Sequence, residues 1–346
     1  MGRVPKANTV VVHKKKTACH IIIVILLICT TIHSNWTIFH QQISSLMTIY
    51  TESDDNLDHY EVEEHRDGIS WEWKRYGSRS RSHSLATQNT QQILIAQYDA
   101  GGDHTNNNNN SYAMLLNITS RINQLYAYQY QLDYVLLRGI VFRTFYETSA
   151  QIPTSRATYN KVYILQKAIE WKYDYLLLLD SDAMIYDFNR DITQLLLPPE
   201  KMILAHQVVG HNNNQNEFYN INIGVTLWNI RHTLIRTIVR RWKILCYYRI
   251  IFQLDDNDQI SLQNLLRYFV TFGRSLTSTN EYLHTNVIEE NHIDFAYRGG
   301  TFVKHFIRYN SKAWIQDDQH RIEEISKVAN EICIRHEPMC NSSSLP

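Results

Sequence analysis

The chain reads as an α/β protein, with a mostly parallel sheet flanked by helices and one membrane helix ahead of it at the N-terminus. Three observations predict this. From residue 91 onward, short and nearly all-apolar runs alternate with amphipathic stretches, the pattern of strands buried on both faces and the helices that cover them. One apolar run ends abruptly in two acids, Asp180 and Asp182. The chain also opens with a basic, then apolar, then acidic order of segments.

Composition narrows the classes. The 346 residues are 44% hydrophobic and 20% charged, enough to bury a core rather than stay disordered. Lys+Arg and Asp+Glu are both 34, a balance that argues against nucleic acid as the main partner. Five cysteines without a CxxC pair exclude a zinc ribbon and a disulfide-scaffolded miniprotein. With 11 glycines and no GxGxxG or GxxxxGK[ST], dinucleotide and P-loop fingerprints are absent.

Arg3, Lys6 and Lys14 to Lys16 stand before the apolar run Ile21 to Cys29, and eight acids with one base follow between Glu52 and Asp67. That order is an N-in, C-out insertion signal. The expected organisation is a tail over 1–17, a signal-anchor helix over 18–39, a luminal stem over 40–90, a catalytic domain over 91–330 and a C-terminal tail over 331–346. The apolar core is short for a span of roughly 20 residues, so a cleaved signal peptide stands as the alternative. Either topology sends the chain into a secretory lumen, with which sequons at Asn35, Asn109, Asn117 and Asn341 agree. There Cys333 and Cys340 are close enough to form a small loop, while Cys246 reads as a buried free thiol.

Ile93 to Gln97 reads as a buried strand, Ser111 to Tyr130 as a helix and Tyr134 to Leu137 as a second strand. Ala157 to Trp171 reads as a second helix and Tyr175 to Leu179 as a third strand. Ligands of such sheets bind at the carboxyl ends of the strands. There, residues i and i+2 of an extended segment project to the same side, so Asp180 and Asp182 can reach one cation. Two hard oxygen ligands suit Mn²⁺ or Mg²⁺. Ser181 between them and Gln97 at the first strand's end are candidate substrate contacts. Lys161, on the helix before the metal strand, is either a contact for a diphosphate or a solvated helix lysine.

The segment Tyr173 to Asp187 resembles the metal-binding segment of nucleotide-sugar glycosyltransferases with the GT-A fold, which is Rossmann-like. It is most similar to the Golgi family of yeast α-galactosyl- and α-mannosyltransferases and plant xyloglucan α-xylosyltransferases. Three further segments resemble that family in order: Asn220 to Asn229, Asp255 to Gln259, and Phe302 to Phe306. The resemblance implies Asn222 and Gly224 near the sugars, Asp258 and Gln259 as catalytic residues beside the donor, and His305 as a third metal ligand. From the residues alone, Asn222 and Gly224 read equally as a strand with a glycine bulge, and Asp258 as a helix cap. The family's basic residue after the His-Phe pair is here either replaced by Arg308 or missing. The resemblance further implies a UDP- or GDP-sugar donor, a glycan or glycoprotein acceptor, retention of configuration and a single-pass type II Golgi protein, with the endoplasmic reticulum or secretion as alternatives. Two rivals are carried forward. One is a phosphatase of the haloacid-dehalogenase type, with Asp180 as nucleophile and Asp182 as acid/base; the other is an inactive, membrane-tethered glycan-binding scaffold.

Overall fold

The computed structural model of the chain describes residues 69–76, 91–99, 111–142, 154–207, 221–251, 258–272, 288–291, 296–297, 300–307, 314–336 and 340. The chain divides into two units, Met1–Glu63 and Glu64–Pro346, and every described residue belongs to the second. The expected anchor over 18–39 lies outside the described residues. Among those described, no helix is long and apolar enough to cross a membrane.

The sheet is built from short strands, of which the central one at 175–179 is apolar and buried throughout. Strand β1 is Ser70–Arg75, β2 Ile93–Tyr98, β3 Asp133–Arg138, β4 Tyr175–Leu179 and β5 Ala183–Ile185. Then come β6 Ile203–Gln207, β7 Ile221–Asn229, β8 Ile288–Asn291, β9 Ala296–Tyr297 and β10 Val303–His305. The helices are α1 Ser111–Gln129, α2 Asn160–Glu170, α3 Ile235–Ile251, α4 Asp258–Phe272 and α5 Trp314–Arg335. Among the described residues, seven strands form the main sheet in the order β1-β3-β2-β4-β7-β6-β8. Five run in one direction, while β1 and β7 are reversed, each pairing antiparallel with its neighbours. A second, three-stranded sheet, β5-β10-β9, lies beyond the end of β4.

The period-two arrangement of strands sorts the core into two layers. On one face Leu94, Ala96, Val135, Leu176 and Leu178 meet Val162 and Leu165 of α2, Trp242 of α3 and Leu265 of α4. On the other, Ile93, Ile95, Leu177 and Leu179 meet Leu125 and Tyr126 of α1, Met184 of the small sheet and Ile325 of α5. Each fully buried leucine of β4 contributes about 2 kcal/mol of apolar transfer, which lets this strand end in two acids without losing its place. Both α1 and α2 stop at a residue with positive φ, Gln131 at 55° and Lys172 at 61°, and after α2 the Tyr173 N–H returns to the Ala168 carbonyl at 3.1 Å. That turn delivers the chain directly into β4.

The topology fixes where a ligand can enter. From β2 the chain crosses over α1 to β3 on one side, then over α2 to β4 on the other. The carboxyl ends of β2 and β4 therefore flank a switch point, the usual ligand crevice of an open α/β sheet.

Three expectations change. Residues 70–75, expected in a polar stem, form an edge strand because Trp71 and Trp73 on one face of β1 pack against Trp171, with ring centroids 5.0 and 4.5 Å apart. The second helix begins with a 3-10 turn, Thr154–Tyr159, before α2. The expected tail from 331 is partly core: α5 runs to Arg335, Ile332 is buried, and Cys333 is bridged to Cys340. Cys246 is a buried free thiol, and burial raises its pKa.

Candidate metal site

Asp180 and Asp182 leave β4 through a tight turn rather than an extended segment. The Ala183 N–H donates to the Asp180 carbonyl at 3.1 Å, closing a four-residue β-turn. Such a turn at a sheet end exposes backbone groups that must find partners. Here each of its carbonyls does: Gln97 Nε2 donates to Asp180 O at 3.1 Å, Thr119 Oγ1 to Ser181 O at 2.8 Å, the Phe306 N–H to Asp182 O at 3.0 Å, and Asn123 Nδ2 to Ala183 O at 3.1 Å. The turn is held in one conformation by β2, α1 and β10 together.

Two expected ligand contacts lie beneath the turn instead. Gln97 has no exposed surface; its amide also reaches Thr119 and Ala183 and accepts from the Tyr134 hydroxyl at 2.8 Å. Ser181 is likewise buried. Both support the turn from beneath instead of facing a ligand, because a buried turn consumes its polar neighbours.

The two carboxylates meet His305, which ends β10 directly opposite Ala183 in the antiparallel pair β5/β10. His305 Nε2 lies 3.3 Å from Asp182 Oδ1 and 3.8 Å from Asp180 Oδ2. One ligand atom from each of Asp180, Asp182 and His305 falls within 4.8 Å of the others. Neighbouring ligands of a six-coordinate Mg²⁺-type cation stand about 3 Å apart, so small shifts would let this donor set grip one. Gly224 on β7 makes room for the cluster. A Cβ there would lie 2.2 Å from His305 Cε1 and 2.6 Å from Asp180 Oδ2. The Gly224 carbonyl accepts the Asp180 N–H at 2.7 Å, and its own N–H donates to Asn222 Oδ1 at 2.8 Å. The cradle and the two-carboxylate, one-imidazole chemistry fit a hard divalent cation such as Mn²⁺ or Mg²⁺.

Buried cations balance the acids. Lys161 on α2 is not solvated: its Nζ sits 3.0 Å from Asp180 Oδ1 and 2.8 Å from Asp258 Oδ2. Burial by itself lowers this ammonium, but the two carboxylates outweigh it and raise its pKa above that of an ordinary lysine. Tyr98 donates its hydroxyl to Asp180, and burial holds that phenol well above its usual range, so it stays a neutral donor. Burial raises Asp182, yet His305 and Arg321 more than offset this and bring it to about 2. Asp180 keeps the more open side chain, 23% exposed against 12% for Asp182.

The structure thus brings Lys161, Asp180, Asp182, Asn222, Gly224, Asp258 and His305 to one end of the sheet. Gln259, next to Asp258 at the start of α4, accepts the Ile223 N–H at 3.3 Å and ties that helix to β7. Arg308 lies outside the described residues. Two participants escaped the sequence reading. Tyr98 follows Gln97 in the same strand, and its lone signal is that it precedes Asp99 at a strand end. Arg321 pairs with Asp182 from a helix 139 residues further on. Its signal was helical: Arg321, Ile325, Ala329 and Ile332 fall on one stripe, where a charge demands a buried partner.

The fold and site together define a mixed α/β domain with an Asp-Asp-His cluster at its switch point. No family model matches the chain, and none of the curated proteins does. Among solved structures, those it is similar to include glycosyltransferases. A glycosyltransferase involved in glycosylation of the major capsid of PBCV-1 is 14% identical at a TM-score of 0.41, over 66% of this chain and 98% of that one. Glycosyltransferase GlyE of Streptococcus pneumoniae TIGR4 is 15% identical at 0.35, over 70% of this chain and 63% of that one. Mouse xyloside xylosyltransferase 1 is 10% identical at 0.27, over 60% and 86%. These likenesses are distant, and the functional reading rests on the site.

Proposed function

We propose that this chain is a metal-dependent glycosyltransferase. It moves a hexosyl or pentosyl group from a UDP- or GDP-linked sugar to a glycan or glycoprotein acceptor, with retention of configuration. The carrying observation is the convergence of Asp180, Asp182 and His305 on one point at the β2/β4 crevice. In this reading those three side chains hold a divalent cation, Mn²⁺ or Mg²⁺, which supplies positive charge where a diphosphate leaves.

The chain's own groups do the remaining work. Lys161 joins Asp180 to Asp258 through one buried ammonium and so sets the spacing between the cation end and the sugar end of the site. Asp258 and Gln259, at the start of α4, face the donor sugar in this reading. Gln259 fixes the β7 backbone beside Asn222 and Gly224, where sugar hydroxyls can approach closely. The buried floor beneath the turn, made by Gln97 and Thr119, keeps the ligand carboxylates from reorganising during transfer. The phosphatase alternative needs Asp182 to donate a proton near neutral pH, and a carboxyl that His305 and Arg321 hold below the ordinary carboxylate range is poorly suited to that. The N-terminal charge order extends the proposal to a type II Golgi membrane protein with its catalytic domain in the lumen.

The test is nucleotide release by the full-length chain, purified in mild detergent, with Mn²⁺ and a panel of UDP- and GDP-sugars. One donor should be hydrolysed slowly, with loss of turnover in EDTA and in Asp182→Asn. A folded chain that neither binds nor turns over any donor would sink the proposal and favour the scaffold reading.

A further inference from the structure

Asp182 is held from two sides, and the two sides use different oxygens. Its Oδ1 faces His305 Nε2 at 3.3 Å, the side on which a cation would sit. Its Oδ2 is taken by the guanidinium of Arg321, which reaches in from α5 and is 1% exposed. The same guanidinium donates Nε to the Phe306 carbonyl at 2.8 Å and Nη1 to Asp318 Oδ1 at 2.9 Å. Phe306 follows His305, and its own N–H donates to the Asp182 carbonyl at 3.0 Å. One planar fork therefore spans the second acid, the segment carrying the imidazole, and the helix. The helix is itself immobilised by Ile325, Ala329 and Ile332 in the core. A guanidinium bound at three points of its plane cannot swing away as a lysine ammonium can.

We infer that Arg321 sets which cation the site accepts: by occupying Oδ2 it restricts Asp182 to attachment through one oxygen. Small cations of the Mg²⁺ and Mn²⁺ class want about six ligands at short distance and are satisfied by single-oxygen carboxylates. Ca²⁺ takes 6–8 oxygens at longer range and gains from two-oxygen carboxylates. With Oδ2 closed, Asp182 offers Ca²⁺ one oxygen where a two-oxygen carboxylate would serve it better. This deepens the metal-dependent reading above and rests on it. It makes α5, remote in sequence from the aspartates, a working wall of the metal site.

The test compares Mn²⁺ and Ca²⁺ dissociation constants by isothermal titration calorimetry on the full-length chain in mild detergent, with no donor present. Wild type should prefer Mn²⁺. Arg321→Met, which frees Oδ2, should narrow the Ca²⁺/Mn²⁺ ratio by about tenfold, the usual size of an outer-partner effect on metal affinity. Arg321→Lys should recover part of the ratio, since it keeps the charge without the fork. Asp318→Asn loosens the guanidinium without touching Asp182; it should shift the ratio the same way by a smaller amount, and it covers the case in which Arg321→Met fails to fold. A purely structural arginine would lower the melting temperature and scale both affinities together. An unchanged ratio in folded variants overturns the inference while leaving the metal site intact. Absence of Mn²⁺ binding by wild type, or binding that survives Asp180→Asn, overturns the metal reading and this inference with it.

Discussion

Gly224 is the sharpest test of the site's geometry. Its backbone has no positive φ among the described residues, so Ala can adopt the conformation and the whole penalty is steric. The added Cβ would stand 2.2 Å from His305 Cε1 and 2.7 Å from His305 Nε2, and 2.6 Å from Asp180 Oδ2. Ordinary carbon contacts begin near 3.5 Å, so the ring must retreat by roughly 1 Å or more. His305 is buried and its strand is locked to Ala183, so the retreat strains the β5/β10 pair or expels the ring from the cluster. Overpacking of this kind costs about 1–3 kcal/mol, offset in part by about 0.5 kcal/mol from the stiffer unfolded chain. Gly224→Ala should therefore lose about 1–2 kcal/mol in urea unfolding and still fold. Its Mn²⁺ affinity should fall at least tenfold, because a displacement of about 1 Å is intolerable to a site with fixed ligand distances. Calorimetric titration of Mn²⁺ beside the unfolding curve separates the two effects. Wild-type Mn²⁺ affinity in a folded Gly224→Ala chain would refute the claim that β7 cradles the metal ligands.

Two other perturbations probe the surroundings. Lys161→Met removes a buried ammonium from between Asp180 and Asp258 and leaves Asp258 inside; it should cost about 3–5 kcal/mol in urea unfolding, with partial recovery on adding Asp258→Asn. A loss under about 1 kcal/mol would mean that the pair is solvated. Cys333→Ser opens the short loop to Cys340, and the chain-entropy model gives a loss of about 2 kcal/mol. Thermal melts with and without reductant should show that loss once and not twice; additive losses would mean that the bridge does not form.

Much of the fold was legible because local pattern and burial coincide. The strands at Ile93, Tyr134 and Tyr175 are apolar on both faces, and a run buried on both faces needs helices above and below it. The reversal of β7 was not legible. Ile221–Asn229 is buried at all but one position, a pattern that is the same whichever way the strand runs, and its direction is set by pairing with β4 and β6. β1 was missed for a related reason. Its residues Trp71 and Trp73 sit among polar neighbours in an edge strand, and their partner Trp171 is supplied by a helix far along the chain.

The site divides along the same line. Asp180 and Asp182 were readable because acids that directly follow four leucines must lie at a buried strand's end, where a charge needs a partner. The sequence determined the chemistry available there, two carboxylates in hard-cation spacing, and the order of elements that carries them. Tertiary structure decided what those carboxylates face. It brought His305 across a second sheet, turned Lys161 inward from an otherwise amphipathic helix, withdrew Gln97 and Ser181 into support of the turn, and closed one oxygen of Asp182 with Arg321. Each of these is a contact between groups distant in sequence, made because a buried charge or carbonyl takes the nearest complementary group that packing provides. Local pattern records that such a partner is needed, and only the packed chain selects it.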